Sequence, residues 1–140
     1  MNHLLVPRVM TKLITPYILL YALYVQFHGD YSPGGGFQAG VIFAAAIILY
    51  TLIFRIAEAE RAIPPRVARV AAVAGLLLYA GVGVVTMMKG GRYLEYGVLA
   101  HEFTEGQHLG ILLVELGVGV CVAAVMITIF YSFVDLLRAP

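Results

Sequence analysis

Four long apolar runs constrain the fold of this 140-residue chain more than any other feature. Each run has about 18–25 residues, enough to cross the roughly 30 Å hydrocarbon core of a bilayer as a helix. The runs are continuous and do not alternate apolar with polar residues, which is typical of membrane helices. The sequence therefore predicts an all-α integral membrane protein, a bundle of four transmembrane helices at approximately residues 9–27, 37–54, 67–88 and 109–134.

The composition supports this prediction. Hydrophobic residues make up 61% of the chain and charged residues 12%, whereas a soluble domain is about 45–50% apolar. We expect residues 1–140 to form a single domain. The net charge of +1 and the lack of a Lys/Arg run give no indication of nucleic-acid binding, and the single cysteine, Cys121, excludes a disulfide framework.

Basic residues predict the orientation, because Lys and Arg are concentrated in cytoplasmic loops. Two basic residues, Lys89 and Arg92, lie in the last loop and none lies between the first two runs. The other seven flank the opposite ends of the runs: Arg8, Lys12, Arg55, Arg61, Arg66, Arg69 and Arg138. Both termini are therefore predicted to be cytoplasmic.

A glycine-rich stretch, His28–Gly40, separates the first two runs, and we call it the hinge. Pro33 is expected to end the first helix, and Gly34, Gly35 and Gly36 to allow a tight return of the backbone. Gly36, Gly40 and Ala44 recur every four residues. Small residues at this spacing allow another membrane helix to approach closely.

Two further patterns concern the other helices. Tyr17, Tyr21, Tyr24 and His28 share one face of the first helix, and Pro16 is expected to kink that helix. Residues 55–69 are predicted to be a cytoplasmic loop that is interrupted by two prolines.

The last polar connection, residues 89–108, contains acidic residues and two histidines. The spacing of His101, Glu102 and Glu105 does not match a zinc-protease helix, and the single pair Glu105 and His108 is too few ligands for a di-iron site. We expect no metal and no cofactor here. A hydrated acidic vestibule or a docking loop is the preferred interpretation.

Glu115 is the residue of the fourth run that packing alone does not explain. A carboxylate at this depth costs on the order of 3 kcal/mol, so it should face protein or water. Its expected partner is His28, Lys89 or a group on another subunit, which would approach over the glycine surface of Gly110, Gly117 and Gly119. The alternative is a protonated or hydrogen-bonded packing residue.

The hinge motif, His-Gly-Asp-Tyr-Ser-Pro-Gly-Gly-Gly-Phe-Gln-Ala-Gly, and Glu115-Leu-Gly-Val-Gly119 after the turn at 106–108 resemble the B subunit of the multisubunit Mrp/Mnh-type Na⁺/H⁺ antiporter. The likeness extends from about Tyr17 to Asp135. It implies a small multi-pass subunit of a bacterial or archaeal plasma-membrane complex that exchanges Na⁺ for H⁺. The partners implied are the other subunits, including large membrane subunits like those of respiratory complex I, and the lipid bilayer.

We expect the ion chemistry at Glu115, apart from the hinge, with His28 and His108 as further candidates for an ion pathway. The candidates for helix packing and the hinge are Pro33, Gly34, Gly35, Gly36, Gly40 and Gly117. No catalytic constellation is present in the sequence, so an enzyme is not expected.

Three alternatives remain open at this point. The chain could be the equivalent subunit of a membrane-bound hydrogenase-like or related respiratory complex. It could be a non-conducting scaffold that joins larger subunits through its glycine ridges. It could also be a self-contained small transporter, although such proteins place the key carboxylate in the first helix.

Overall fold

The computed structural model of the chain describes residues 2–28 and 34–138. Four helices are long and apolar enough to cross a membrane, and they contain the four predicted runs. This confirms the all-α class and the four candidate membrane helices. Pro33 of the hinge lies outside the described residues. The helices are α1 (Leu5–His28), α2 (Gly36–Phe54), α3 (Ile56–Ala62), α4 (Pro65–Met88) and α5 (Phe103–Arg138), with 3-10 turns at Asn2–Leu4 and Tyr96–Leu99.

The prediction that residues 55–69 form a loop is wrong, because α3 occupies half of this segment. Arg55 separates α2 from α3 with φ +97°, and the buried Ile56 and Ala59 give α3 an apolar face to pack. Pro64 is extended and Pro65 begins α4, as expected from the tolerance of proline in a first helical turn. In α1 the helix continues through Pro16, so a kink there stays a prediction.

The long helices pack in the order α1, α2, α5, α4. A methyl group added to Gly40 would lie 2.7 Å from the carbonyl oxygen of Gly119, and one added to Gly36 would collide with the carbonyl oxygen of Glu115. The steps from 36 to 40 and from 115 to 119 run in the same direction, so α2 and α5 are parallel. The predicted small-residue ridge of α2 is therefore occupied by α5.

Helix α4 packs on α5 through a second glycine contact. A methyl group on Gly75 would lie 2.6 Å from the carbonyl oxygen of Gly117 and 2.7 Å from the backbone nitrogen of Cys121. Backbones this close leave no room for a side chain. The contact explains the predicted packing role of Gly117.

The core is concentrated at the end of the bundle away from the hinge. Tyr131 donates a hydrogen bond of 3.0 Å to the carbonyl oxygen of Ile63, which ties the α3–α4 connection to α5. The buried residues of this cluster are Ala44, Ile56, Ala59, Ala68, Ile127 and Tyr131.

The other end of the bundle, where α1 ends and α2 begins, is called the hinge end. Here the long helices extend to two different heights, which form a step. Gly36 lies level with Glu115, yet α5 begins 12 residues earlier at Phe103. At 1.5 Å per residue, α5 extends about 18 Å beyond the start of α2. The described part of the chain thus has a low side formed by α1 and α2 and a high wall formed by α4 and α5.

The α4–α5 contact predicts that alanine substitutions at two glycines of α4 have different effects on stability. Gly75→Ala should destabilise the protein by about 1–3 kcal/mol, because its Cβ overpacks the backbone of α5. Gly81→Ala is the matched control, because no atom lies within 4 Å of a Cβ at that position. It should be neutral or stabilising by up to about 1 kcal/mol through helix propensity.

Thermal stability of the detergent-purified protein, followed as loss of the monodisperse elution peak, measures both effects. Equal melting temperatures for the two variants would contradict the close α4–α5 packing.

Candidate functional site

Glu115 lies on the face of α5 that packs against α2, and it is half-buried. It follows Leu109, the first residue of the apolar run, by six positions, which corresponds to a depth of about 9 Å along the helix. Its carboxylate is therefore inside the apolar part of α5, at the foot of the step between the low side and the high wall.

The carboxylate contacts the hinge directly. A methyl group built on Gly35 would lie 3.0 Å from Oε1 of Glu115. Gly35 has φ +141°, which is strained for any residue with a side chain. Glu115 is therefore not distant from the hinge, as the sequence analysis had it, but lies beside Gly35. A role of Glu115 in ion chemistry stays a prediction.

The N-terminus of α2 places a partial positive charge beside Glu115. Gly35 is the N-cap residue of α2, and its carbonyl oxygen accepts the first helical hydrogen bond, from the nitrogen of Ala39 at 3.0 Å. The first N–H groups of a helix carry a partial positive charge. A carboxylate beside them is better accommodated than one that faces hydrocarbon. Gly34, which precedes the cap, is half-buried.

The glycines near Glu115 do not form one surface. Gly119 faces α2, whereas Gly117 faces α4 and Gly110 faces Tyr96 of the α4–α5 loop, residues 89–102. Positions 110 and 117 are seven residues apart and share a face of α5, opposite to that of 115 and 119. The predicted approach of another subunit over these glycines is wrong, because elements of the same chain occupy all three.

His28 lies in an aromatic stack at the end of α1. The rings of Tyr21 and Tyr24 are 6.1 Å apart, and those of Tyr24 and His28 are 5.0 Å apart and nearly parallel. Both tyrosines are 57% exposed, so they are free to meet lipid headgroups or another subunit. The shared face predicted from the spacing is thus observed for these three residues.

His108 lies on the high wall, exposed, in the second turn of α5. It precedes Glu115 by seven residues, which places it on the same face about 10 Å further out. The structure therefore aligns His108 above Glu115. Glu105 is also in α5 and not in a loop.

The α4–α5 loop packs on the side of α5 that faces away from Glu115. Tyr93 fills the space that a side chain at Gly83 would take, and Tyr96 does the same at Gly110. Burial raises the pKa of Tyr96 above that of an ordinary phenol, and the neighbouring Tyr79 and Tyr93 raise it further. The raised pKa widens the range of alkaline pH over which this hydroxyl keeps its proton.

Local hydrogen bonds hold this loop in place. The buried Thr86 hydroxyl donates to the carbonyl oxygen of Gly83 at 2.6 Å and accepts from the nitrogen of Leu94 at 3.0 Å. Lys89 donates to the carbonyl oxygen of Leu99 at 3.3 Å, and Glu95 accepts from the nitrogen of Arg92 at 2.7 Å. Within residues 2–28 and 34–138, no three His, Cys, Asp or Glu residues are arranged to bind a metal ion.

Gln26 is a site residue that the sequence analysis missed. Its side chain is only 6% exposed, and in the described part of the chain its Nε2 atom has no hydrogen-bond partner. A methyl group on Gly119 would lie 2.5 Å from its Oε1. The available signal was an amide inside an apolar run, the same kind of signal that identified Glu115.

The contact between α2 and Glu115 predicts that substitutions at two adjacent positions differ sharply in their effect on stability. Gly36→Ala should lower stability by about 1–3 kcal/mol, because its Cβ collides with the backbone of Glu115. Phe37→Ala is the control: Phe37 is 64% exposed, and its loss should change stability by at most about 0.5 kcal/mol.

Both variants can be compared by thermal melting and by the amount of protein that accumulates in membranes. If Phe37→Ala is the more damaging change, α2 does not pack on Glu115 through Gly36.

Comparisons with known proteins agree with the resemblance. A family model described as a domain related to the MnhB subunit of Na⁺/H⁺ antiporter matches residues 6–128. Proteins named "Putative antiporter subunit mnhB2" from Staphylococcus aureus strains Newman and JH1 are 34% identical over 128 residues, which is 89% of this chain and 90% of theirs. Because the family model and these relatives both cover most of the chain, the chain belongs to the MnhB-related family of Na⁺/H⁺ antiporter subunits.

Proposed function

We propose that this chain is a small membrane subunit of a multisubunit antiporter that exchanges Na⁺ for H⁺. Membership of the MnhB-related family over residues 6–128 supports this function, and four apolar helices suit a multi-pass membrane subunit. The activity is that of a transporter subunit and not that of an enzyme. Its partners are the other subunits of the complex, including large membrane subunits like those of respiratory complex I.

Within the complex, Glu115 is the group of this chain that handles the transported ion or proton. The observation that carries this assignment is the contact between its carboxylate and Gly35 at the start of α2. A carboxylate inside an apolar helix is costly and is kept where it binds or relays cations or protons. The glycine cap leaves room for the carboxylate, and the positive end of α2 favours its ionised form.

The pathway toward Glu115 begins on the high wall. His108 lies above Glu115 on the same face of α5, and His28 ends α1 at the hinge end. Beyond Glu115, the space between the helices is lined by apolar groups except for Gln26. We infer that the rest of the route is supplied by neighbouring subunits.

The proposed setting is the plasma membrane of a bacterium or archaeon, with both termini in the cytoplasm and the hinge end outside. The distribution of Lys and Arg supports this orientation. It puts His108 and Glu115 on the side from which external cations or protons arrive.

The structure weakens one form of the scaffold alternative. A scaffold that joins larger subunits through glycine ridges needs those ridges to be exposed, yet Gly36, Gly40, Gly75 and Gly117 contact other helices of the same chain. Contribution to assembly would instead come from exposed apolar side chains, such as Leu52 at 68% exposure. A related hydrogenase-like complex remains the alternative setting for the same subunit.

Glu115→Gln tests the role of the carboxylate. The amide keeps the size of the side chain and cannot ionise, so Na⁺/H⁺ exchange by the whole complex in everted vesicles should fall at least about tenfold, as for loss of an essential proton-transfer group. Glu115→Asp should retain part of the activity. Pull-down of the other subunits verifies that the complex is intact.

Glu105→Gln is the matched control, because Glu105 is an exposed carboxylate on the same helix. It should leave exchange unchanged. Full exchange by an assembled Glu115→Gln complex would refute the assignment of Glu115, whereas loss of assembly in a strain that lacks this chain would still support a place in the complex.

A further inference from the structure

Gln26 presents a buried amide donor that the described part of the chain does not use. Its side chain is 6% exposed, and its Nε2 atom has no hydrogen-bond partner within residues 2–28 and 34–138. A buried donor that is left unpaired destabilises a protein. Nearly all buried polar groups are paired with protein or with ordered water, so we expect Nε2 to bind a group from outside the chain.

The amide of Gln26 lies about one helical turn from Glu115, on the side away from the hinge end. A methyl group on Gly119 would lie 2.5 Å from Oε1 of Gln26, and Gly119 follows Glu115 by four residues, about 6 Å along α5. Positions 115 and 119 share the face of α5 that packs on α2. Among the described residues, Gln26 is therefore the polar side chain that follows Glu115 along this face.

A hydrogen-bond acceptor lies close to the amide without being bonded to it. The methyl position on Gly119 that is 2.5 Å from Oε1 of Gln26 is also 3.2 Å from the carbonyl oxygen of Gly36. A carbonyl oxygen has two lone pairs, so it can accept a hydrogen bond from water in addition to one within its helix. A water molecule that accepts from Nε2 and donates to this oxygen would satisfy the buried donor.

Space for this water exists at the end of an apolar groove that runs between α1 and α4. The groove has a volume of about 330 Å³, and Gln26 is the polar side chain among its lining residues. A water molecule needs only about 10–15 Å³ of such volume, together with two to four polar partners. Apolar cavities stay dry, so we expect water beside Gln26 and not along the rest of the groove.

We propose that Gln26 binds a buried water molecule, which accepts a hydrogen bond from Nε2 and donates one to the carbonyl oxygen of Gly36. The inference rests on the proposed role of Glu115: the water is the next polar contact for the ion or proton that this carboxylate handles. An amide does not titrate, so Gln26 acts through the water that it holds. It is a positioning residue of the pathway.

Radiolytic labelling of the whole purified complex tests for the water directly. Short X-ray pulses in water enriched in heavy oxygen turn bound water into hydroxyl radicals, and mass spectrometry locates the heavy oxygen on nearby side chains. Label is expected on Leu116 and Phe43, which line the groove about one turn to either side of Gly119. Gln26→Met keeps the length of the side chain but lacks the amide, so it should reduce this labelling at least fivefold.

Gln38→Met is the matched control, because Gln38 is an exposed amide, and it should leave the labelling unchanged. Lack of label on both Leu116 and Phe43 in the wild-type complex would overturn the proposal without any variant. Equal labelling of the wild-type and Gln26→Met complexes would overturn it as well. Gly119→Ala is a second variant for the same comparison, because its Cβ displaces the amide without removing it.

Na⁺/H⁺ exchange by the whole complex in everted vesicles tests the functional part. Per assembled complex, Gln26→Met should lower exchange about three- to tenfold, the range expected for one hydrogen bond, whereas Gln38→Met should not change it. Gln26→Asn keeps an amide and should retain more exchange than Gln26→Met. A lower melting temperature of Gln26→Met with unchanged exchange would show that the amide only packs α1 against α5.

The combination of Gln26→Met with Gly119→Ala shows whether both changes act on the same water. The double variant should exchange no more slowly than the slower single variant, whereas effects that multiply would contradict a shared site. Full exchange by an assembled Glu115→Gln complex would refute the role of the carboxylate. Loss of exchange in that complex, together with full exchange by Gln26→Met, would refute only the role of Gln26.

Discussion

The close approach of α2 and α5 is the contact on which the rest of the structure depends. Two glycines of α2, Gly36 and Gly40, meet the backbone of α5 between Glu115 and Gly119 without an intervening side chain. This contact sets the register of the two parallel helices and brings the hinge against the carboxylate. Lipid offers no hydrophobic drive for helix association, so such backbone proximity is a main source of cohesion.

Helix α5 is central because its two faces pack against different elements of the chain. One face holds Glu115 and Gly119 against α2, and the other holds Gly117 against α4 and Gly110 against Tyr96. Glu115 is thereby separated from the α4–α5 loop by the thickness of the helix. In that loop, Glu95 accepts a hydrogen bond from the backbone nitrogen of Arg92.

The sequence was sufficient for the four long helices and the family, because apolar runs and the hinge motif are local patterns. It also identified Gly36, Gly40 and Gly117 as packing residues, but not what packs on them, since a spacing does not name its partner. The contact between Gly35 and Glu115 joins residues 80 positions apart and depends on a register that no local pattern specifies. Gln26 and α3 were missed because a single amide and a seven-residue helix are weak signals beside long apolar runs.

The step at the hinge end has an electrical consequence. The wall of α5 rises about 18 Å beyond the start of α2, so among residues 2–28 and 34–138 Glu115 lies at the bottom of a notch. Where water occupies such a notch, the floor of the notch has nearly the electrical potential of the bathing solution. Moving one elementary charge across the full membrane potential changes its free energy by about 2.3 kcal/mol per 100 mV. A charge that arrives at Glu115 through the notch would traverse little of that field, and most of the voltage would act on the steps beyond it.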